Sequence, residues 1–401
     1  MRELLTVEEY SEELLRLVTG SAGAEQVAVR DSVGRVLAED VVSRVSIPVF
    51  DNSAMDGYAV RYDDIWSPLV PLRVVGDVPA GSRDDPEAAF GECVRIMTGA
   101  ALPTFADTVV PVEQTQPGPD GDVVFLAVGL RGAHVRRAGE DVPQGALVAR
   151  AGQEVTPGLV GALAAVGATE VSVRPRPRVA VCATGDELVA DGARLRRGQI
   201  YESNSVVVAT SLERHGAEVR TVGLVGDEPQ RLVAYLDGLR ETCDLIVLTG
   251  GASVGAYDVV RDVLSERAGG VFRHVRVQPG KPQGWAVWNG TPVVSLPGNP
   301  VPAVLSVEAF VVPMLDRMLG RSASPSYTAR AGVGWSSPAG RRQLVPVRIF
   351  TENGSLLAVP AHSGGSGSHL VTSLAEANGY AMVPEEATAV AAGDLLTVRW
   401  L

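Results

Sequence analysis

The chain has 401 residues, 46% of them hydrophobic, with a formal net charge of -12 and a pI near 5.0. That length predicts several domains with ample core, and an acidic balance with no basic stripe excludes nucleic acid and anionic membrane as partners. Three separated cysteines (Cys93, Cys182, Cys243) with no CxxC pair read as free thiols in a reducing compartment; no apolar run approaches bilayer length, and Met1-Arg2-Glu3-Leu4-Leu5 lacks a signal-peptide core, so a cytoplasmic location is expected.

In chain order, Thr6 to Thr19 reads as a helix: Thr6 is the N-cap, Glu9 completes a capping box, and Val7, Tyr10, Leu14, Leu15, Leu17 and Val18 supply an apolar face. A second helical piece is predicted over Ala24–Val36. From Val41 to Arg150 short strands alternate with Gly, Pro and Asp clusters, at Leu72–Val75, Cys93–Met97, Thr108–Val112 and Val123–Val128. Three polar motifs punctuate this region: Asp51-Asn52-Ser53-Ala54-Met55-Asp56-Gly57, Thr98-Gly99 after a strand, and Arg136-Arg137-Ala138-Gly139-Glu140-Asp141. Taken singly, each reads as a turn or a surface ion pair. Thr156-Pro157 starts a helix to about Val166, and Arg174-Pro175-Arg176-Pro177-Arg178 reads as a stiff linker.

Beyond that linker comes an α/β alternation: strand Val179–Ala183, helix Asn204–His215, strand Val219–Val225, helix Pro229–Arg240, strand Leu245–Leu248, helix Tyr257–Arg267, strands near Val271–Val277 and Val293–Leu296, and a long helix Val301–Leu319. This pattern predicts a doubly wound parallel sheet whose ligands bind at the carboxyl ends of the strands. Those ends carry Thr184-Gly185-Asp186-Glu187, Gly226-Asp227-Glu228, and Thr249-Gly250-Gly251-Ala252-Ser253-Val254-Gly255 leading to Asp258. They also carry Gln278-Pro279-Gly280-Lys281-Pro282 and Pro297-Gly298-Asn299. Glycines allow backbone N–H groups to turn toward an anion, and a following helix N-terminus favours negative charge there. Each of Asp186, Asp227 and Asp258 also reads as a helix N-cap. Three acids on one edge beside glycine loops point instead to a cation that bridges them to phosphate, for which Mg²⁺ is the natural candidate. Lys281 is the only lysine in the chain, a compact ammonium retained where every other basic side chain is arginine. Neither a Walker P-loop nor a G-x-G-x-x-G fingerprint is present. From Ser322 onward the chain is β-rich, with a hairpin turn at Asn353-Gly354, and reads as a small barrel or sandwich. Ser363–His369, which includes Ser366 and Ser368, is a flexible loop or a second anion-binding loop.

Carried by Asp51–Arg61, Arg95–Ala100, Arg136–Asp141, Thr184–Leu188, Thr249–Gly255, Leu296–Pro300 and Ser373–Asn378, in that order, the chain resembles the molybdopterin molybdenumtransferase family, which includes the E domain of gephyrin. The resemblance implies four domains: a helical scaffold of residues 1–40 and 151–175, an inserted β domain of 41–150, a doubly wound α/β domain of 176–321, and a C-terminal β domain of 322–401. It implies insertion of molybdenum from molybdate into adenylylated molybdopterin, with release of AMP and Mg²⁺ present. Glu187, Asp227 and Asp258 become metal residues and Lys281 an anion contact. Asp56, Thr98 and Asp141 reach in from the β domain, across a cleft of a homodimer. A molybdopterin adenylyltransferase upstream and molybdoenzymes downstream are the implied partners. Gln278 stands where the family often has lysine, Gln283-Gly284-Trp285 replaces an aromatic-rich run, and Val259-Val260 replaces a common Tyr-Thr pair. A non-catalytic scaffold and a tungsten-specific or otherwise diverged pterin-binding paralogue are the alternative readings.

Overall fold

The computed structural model describes residues 4–20, 23–190, 192–239, 241–251, 258–362, 367 and 370–401. Ser253, Gly255, Ser366 and Ser368 lie outside the described residues. The chain divides into two compact units, residues 26–173 and residues 1–25 with 174–401. Among the described residues no helix is long and apolar enough to cross a membrane.

Helix α1 (Val7–Leu15) starts as its capping box dictates: Thr6 Oγ1 accepts the Glu9 N–H at 3.1 Å, and Glu9 accepts the Thr6 N–H at 2.7 Å. It ends earlier than the predicted Thr19, at the C-cap Arg16. Its buried face carries Tyr10 and Leu14, each worth about 2 kcal/mol when fully removed from water. Tyr10 meets Phe310 edge-on and donates to the Gly284 carbonyl at 3.2 Å, which docks α1 on the α/β layer of its own unit.

In the unit of residues 26–173, the helix predicted over Ala24–Val36 is replaced by a strand at Glu25–Ala28 and a single 3₁₀ turn at Val29–Asp31. That strand pairs with Glu170–Val173, and Val29 and Leu37 bury against Leu159, Leu163 and Val173. Tertiary pairing of an alternating Val27/Val29 segment overrides a weak helical pattern, as it does wherever propensity is marginal. The four strands predicted in the β region are present as β2 (Pro71–Val78), β3 (Glu92–Ile96), β4 (Thr108–Pro111) and β6 (Val123–Phe125), and two unpredicted ones, β1 (Gly57–Val60) and β5 (Thr115–Pro117), join them. They form one sheet in the order β4-β1-β3-β2-β6-β5. Helix α2 (Pro157–Ala165) follows, with Thr156 Oγ1 accepting the Leu159 N–H at 3.2 Å.

The second unit is built on β7 (Arg178–Thr184), α3 (Asn204–Arg214), β8 (Glu218–Val225), α4 (Pro229–Gly238), β9 (Leu245–Thr249), α5 (Val259–Ala268), β10 (Val271–His274), β11 (Pro282–Trp288) and β12 (Thr291–Leu296). The sheet order is β8-β7-β9-β12-β11-β10. The first four strands are parallel; β11 runs antiparallel to both neighbours. The expected doubly wound parallel sheet is present in these four strands; β11, a strand the sequence pattern did not mark, is antiparallel because the tight Asn289-Gly290 turn joins it to β12 and a short hairpin joins only antiparallel strands. Period-two alternation within the apolar runs sorts the core. Val179, Val181, Leu245 and Val247 face α1 and α3, whereas Ala180, Cys182, Ile246 and Leu248 face α4 and α5. The predicted Val301–Leu319 helix is α6 (Pro300–Ser306), a π-helical turn at Val307–Val311, and α7 (Val312–Leu319). Pro313 cannot donate into the ladder, and the irregular turn sits just before it.

The C-terminal strands β13 (Tyr327–Ala331), β14 (Arg342–Glu352), β15 (Ser355–Pro360), β16 (Gly379–Val383) and β17 (Leu395–Trp400) close into a five-stranded barrel, β14-β15-β13-β17-β16, with β16 returning to β14. Asn353 and Gly354, both at positive φ, make the predicted hairpin turn between β14 and β15. Val277–Gln278, read as part of the α/β sheet, instead pairs with the start of β14.

Candidate functional site

Four parallel strands deliver their carboxyl ends to one edge, and a cavity of about 780 Å³ opens there. Thr184, Gly185 and Glu187 follow β7, Asp227 follows β8, Gly250 and Gly251 follow β9, and Pro297, Gly298 and Asn299 follow β12; all line the cavity. Pro279, Gly280 and Lys281 line it as well. They do so by a route different from the one expected: they precede β11, whose reversed direction puts its amino end on this edge. Asp258 lines the cavity at the start of α5.

The glycine loop after β9 is sterically specified. Gly250 has φ +94°, and a Cβ there would sit 2.8 Å from the Thr184 carbonyl oxygen. Gly251 has φ +75°, and its Cβ would fall 2.3 Å from Val260 Cβ. Only glycine lets this backbone pass between the end of β7 and the start of α5.

The acids have distinct local duties. Asp258 is a helix N-cap, its Oδ1 accepting the Arg261 N–H at 3.1 Å, and it is 9% exposed. Asp186 and Asp227 are not caps of this kind. Asp227 N–H donates to Asp186 Oδ1 at 3.0 Å and Asp186 N–H donates to Asp227 Oδ2 at 3.3 Å, locking the β7 and β8 loops together. Asp186 itself does not line the cavity among the described residues. Nor do the described residues contain a converging group of three or more His, Cys, Asp or Glu side chains. Glu187, Asp227 and Asp258 thus share one cavity without forming a closed carboxylate cage.

Four residues that the sequence motifs did not mark as site residues also border the cavity, Tyr201, Glu202, Ser203 and Asn204, before and at the start of α3. The Glu202 carboxylate accepts the Ser205 N–H at 2.8 Å, and Asn204 Nδ2 donates to the Gly298 carbonyl at 2.6 Å, tying the α3 start to the β12 loop. The polar run Glu202-Ser203-Asn204 ahead of an apolar helix was the available signal.

In the unit of residues 26–173, Asp56 and Thr98 are brought together. Asp56 Oδ1 accepts both the Thr98 N–H and its hydroxyl at 2.7 Å, and these hydrogen bonds, the hydroxyl first, hold the carboxyl below its ordinary range. Asp141 is placed elsewhere in that unit, its N–H donating to the Ile47 carbonyl at 3.0 Å; among the described residues no hydrogen bond or ion pair joins it to Asp56 or Thr98. Arg137 and Asp51, from two of the sequence motifs, form an ion pair at 2.5 Å.

Comparison with known proteins accounts for nearly the whole chain. Residues 5–167 match the MoeA N-terminal region (domain I and II), residues 180–317 the "Probable molybdopterin binding domain", and residues 328–400 the MoeA C-terminal region (domain IV). Molybdopterin molybdenumtransferase 2 of Mycobacterium tuberculosis is 42% identical, covering 93% of this chain and 94% of that protein. The molybdopterin molybdenumtransferase of Haemophilus influenzae is 32% identical over 99% of this chain and 98% of its own. A crystal structure of a molybdopterin biosynthesis MoeA protein from Pyrococcus horikoshii superposes with a TM-score of 0.86 at 27% identity, covering all of both chains. With this identity sustained from the capped first helix to the closing barrel, the chain belongs to the molybdopterin molybdenumtransferase family.

Proposed function

We propose that this protein is a molybdopterin molybdenumtransferase that takes adenylylated molybdopterin and molybdate, places molybdenum on the pterin dithiolene and releases AMP. The observation that carries the reading is the cavity at the carboxyl edge, where a steric glycine loop, Lys281 and the acids Glu187, Asp227 and Asp258 meet. Gly250 and Gly251 bring a backbone without side chains to the cavity wall, their Cβ directions being taken up by Thr184 and Val260, and the Lys281 ammonium would supply a point charge to an oxyanion. The family name carried by the relatives supports the same reaction.

Glu187, Asp227 and Asp258 would hold Mg²⁺. Their hard oxygen donors suit it: the three do not converge as one group, so one or two of them would ligate Mg²⁺ directly and the rest would reach it through its water, with phosphate oxygens completing the shell. Bound there, the cation would neutralise charge on the substrate's phosphates. A cytoplasmic location, a molybdopterin adenylyltransferase upstream and molybdoenzymes downstream complete the proposal.

We also propose a homodimer in which Asp56, Thr98 and Asp141 of one copy serve the substrate held by the other, a reading that rests on the family resemblance. Mixing Asp56→Ala with Asp227→Ala protein under subunit exchange should restore about a quarter of wild-type turnover, because about half the dimers are mixed and each holds one intact site. A mixture as inactive as its components, despite proven exchange, contradicts the shared site. Titration with molybdate and tungstate, with and without adenylylated pterin, tests the transferase reading itself. Pterin-dependent binding of molybdate supports it; tungstate binding alone favours the diverged paralogue.

A further inference from the structure

The cavity is short of positive charge for the ligand assigned to it. Glu187, Glu202, Asp227 and Asp258 line it, and among the described residues Lys281 is the only cation that does. One more cation stands directly behind the lining. Arg341 precedes β14, whose first residues pair with Val277–Gln278, and its Nη1 donates to Gln278 Oε1 at 2.8 Å. Gln278 lines the cavity.

This hydrogen bond fixes the amide. A guanidinium has donors only, so the Gln278 carbonyl oxygen must face it and the NH₂ group must point away. Neither proton of that NH₂ has an acceptor among the described residues, and Arg341 has no acidic partner among them. The guanidinium charge thus stands roughly 5 Å behind a donor with two open N–H bonds, given ordinary hydrogen-bond and amide dimensions.

We propose that Arg341, acting through Gln278, is the second cationic determinant of the anion cavity. Arg341 is a positioning residue: it orients the Gln278 amide toward the ligand's oxygens and adds positive potential there without touching them. The Gln278–Arg341 pair then does in two side chains what one lysine at position 278 would do alone. The inference rests on the reading of this cavity as a phosphate and oxyanion site, and deepens it by assigning a second side-chain cation beside Lys281.

Inorganic pyrophosphate, a stand-in for the phosphoanhydride, is titrated calorimetrically into the full-length wild type, Arg341→Ala, and the double variant Arg341→Ala/Gln278→Lys, each at several salt concentrations. A thermal melt confirms that each variant is folded. A single charge at this separation is worth about threefold to tenfold in affinity at moderate ionic strength. Arg341→Ala should therefore bind about threefold to tenfold more weakly with a flatter salt dependence, and the double variant, with its ammonium at the cavity wall, should recover affinity and slope. Arg341→Ala binding within twofold of wild type at an unchanged slope overturns the inference and leaves the cavity reading standing. Weakened binding that Gln278→Lys does not rescue also overturns it, because that outcome marks a merely structural arginine. Absence of pyrophosphate binding by the wild type overturns both the inference and the cavity reading.

Discussion

Substituting Asp258 by Asn and by Ala separates two duties of one carboxylate. Its Oδ1 caps α5 through the Arg261 N–H at 3.1 Å, and the residue lines the cavity. Loss of such a cap in Asp258→Ala costs about 1 kcal/mol, whereas Asn ranks with Asp as an N-cap and should preserve the helix start. A cost of about 1 kcal/mol is about fivefold in a local opening equilibrium. A chain with two compact units need not melt in one step, so the informative assay is amide hydrogen exchange in the first turn of α5, at Arg261 and Asp262. Exchange there should quicken about fivefold in Asp258→Ala and stay within about twofold of wild type in Asp258→Asn. Both variants should lose Mg²⁺-dependent turnover, because both lose the charge. Wild-type turnover by the Asn variant would refute the metal-site role, and unchanged exchange in the Ala variant would refute the capping account.

Gly251→Ala should destabilise the protein by about 3 kcal/mol and abolish pyrophosphate binding, since the new Cβ lands 2.3 Å from Val260 Cβ at φ +75°; a wild-type melting temperature would contradict it. Lys281→Arg should keep the fold and lose most turnover, because a planar guanidinium does not reproduce the contact of a compact ammonium; full activity in that variant would show that position 281 needs only a positive charge. Burial alone would raise the Asp244 carboxyl, but the side-chain and backbone donors of Arg178 outweigh it and hold it below the ordinary value of 3.8. The stabilisation is therefore present above the unfolded-state value and is lost as pH falls through the lower folded value. Thermal stability should fall more steeply below about pH 4 in wild type than in Asp244→Asn, and equal slopes would show that the pair contributes nothing.

The parts of the molecule legible in the sequence were those specified locally. Thr6 and Glu9 marked the capping box, Asn353-Gly354 marked the hairpin, and the apolar runs between glycine loops marked the strands that set the cavity edge. Where long-range pairing decides, sequence patterns were a weaker guide. Glu25–Ala28 is a strand because Glu170–Val173 lies beside it, and the reversal of β11, which carries Lys281 to the site, depends on a hairpin into β12 that apolar periodicity cannot distinguish from a crossover. The contributions of Glu202, Asn204 and Arg341 were hidden for a related reason: each acts through a hydrogen bond to a segment distant in sequence or to a helix start.

A single-turnover reaction tests molybdenum transfer at this cavity most directly. Purified protein loaded with adenylylated molybdopterin and Mg²⁺ is mixed with molybdate, and AMP release and protein-bound molybdenum are followed together. One AMP should be released for each molybdenum incorporated, only when molybdate is present, and this release should be lost in Asp227→Ala while pterin stays bound. Release of AMP at the same rate without molybdate, or undiminished turnover by Asp227→Ala, would contradict a molybdenum transfer centred on this cavity.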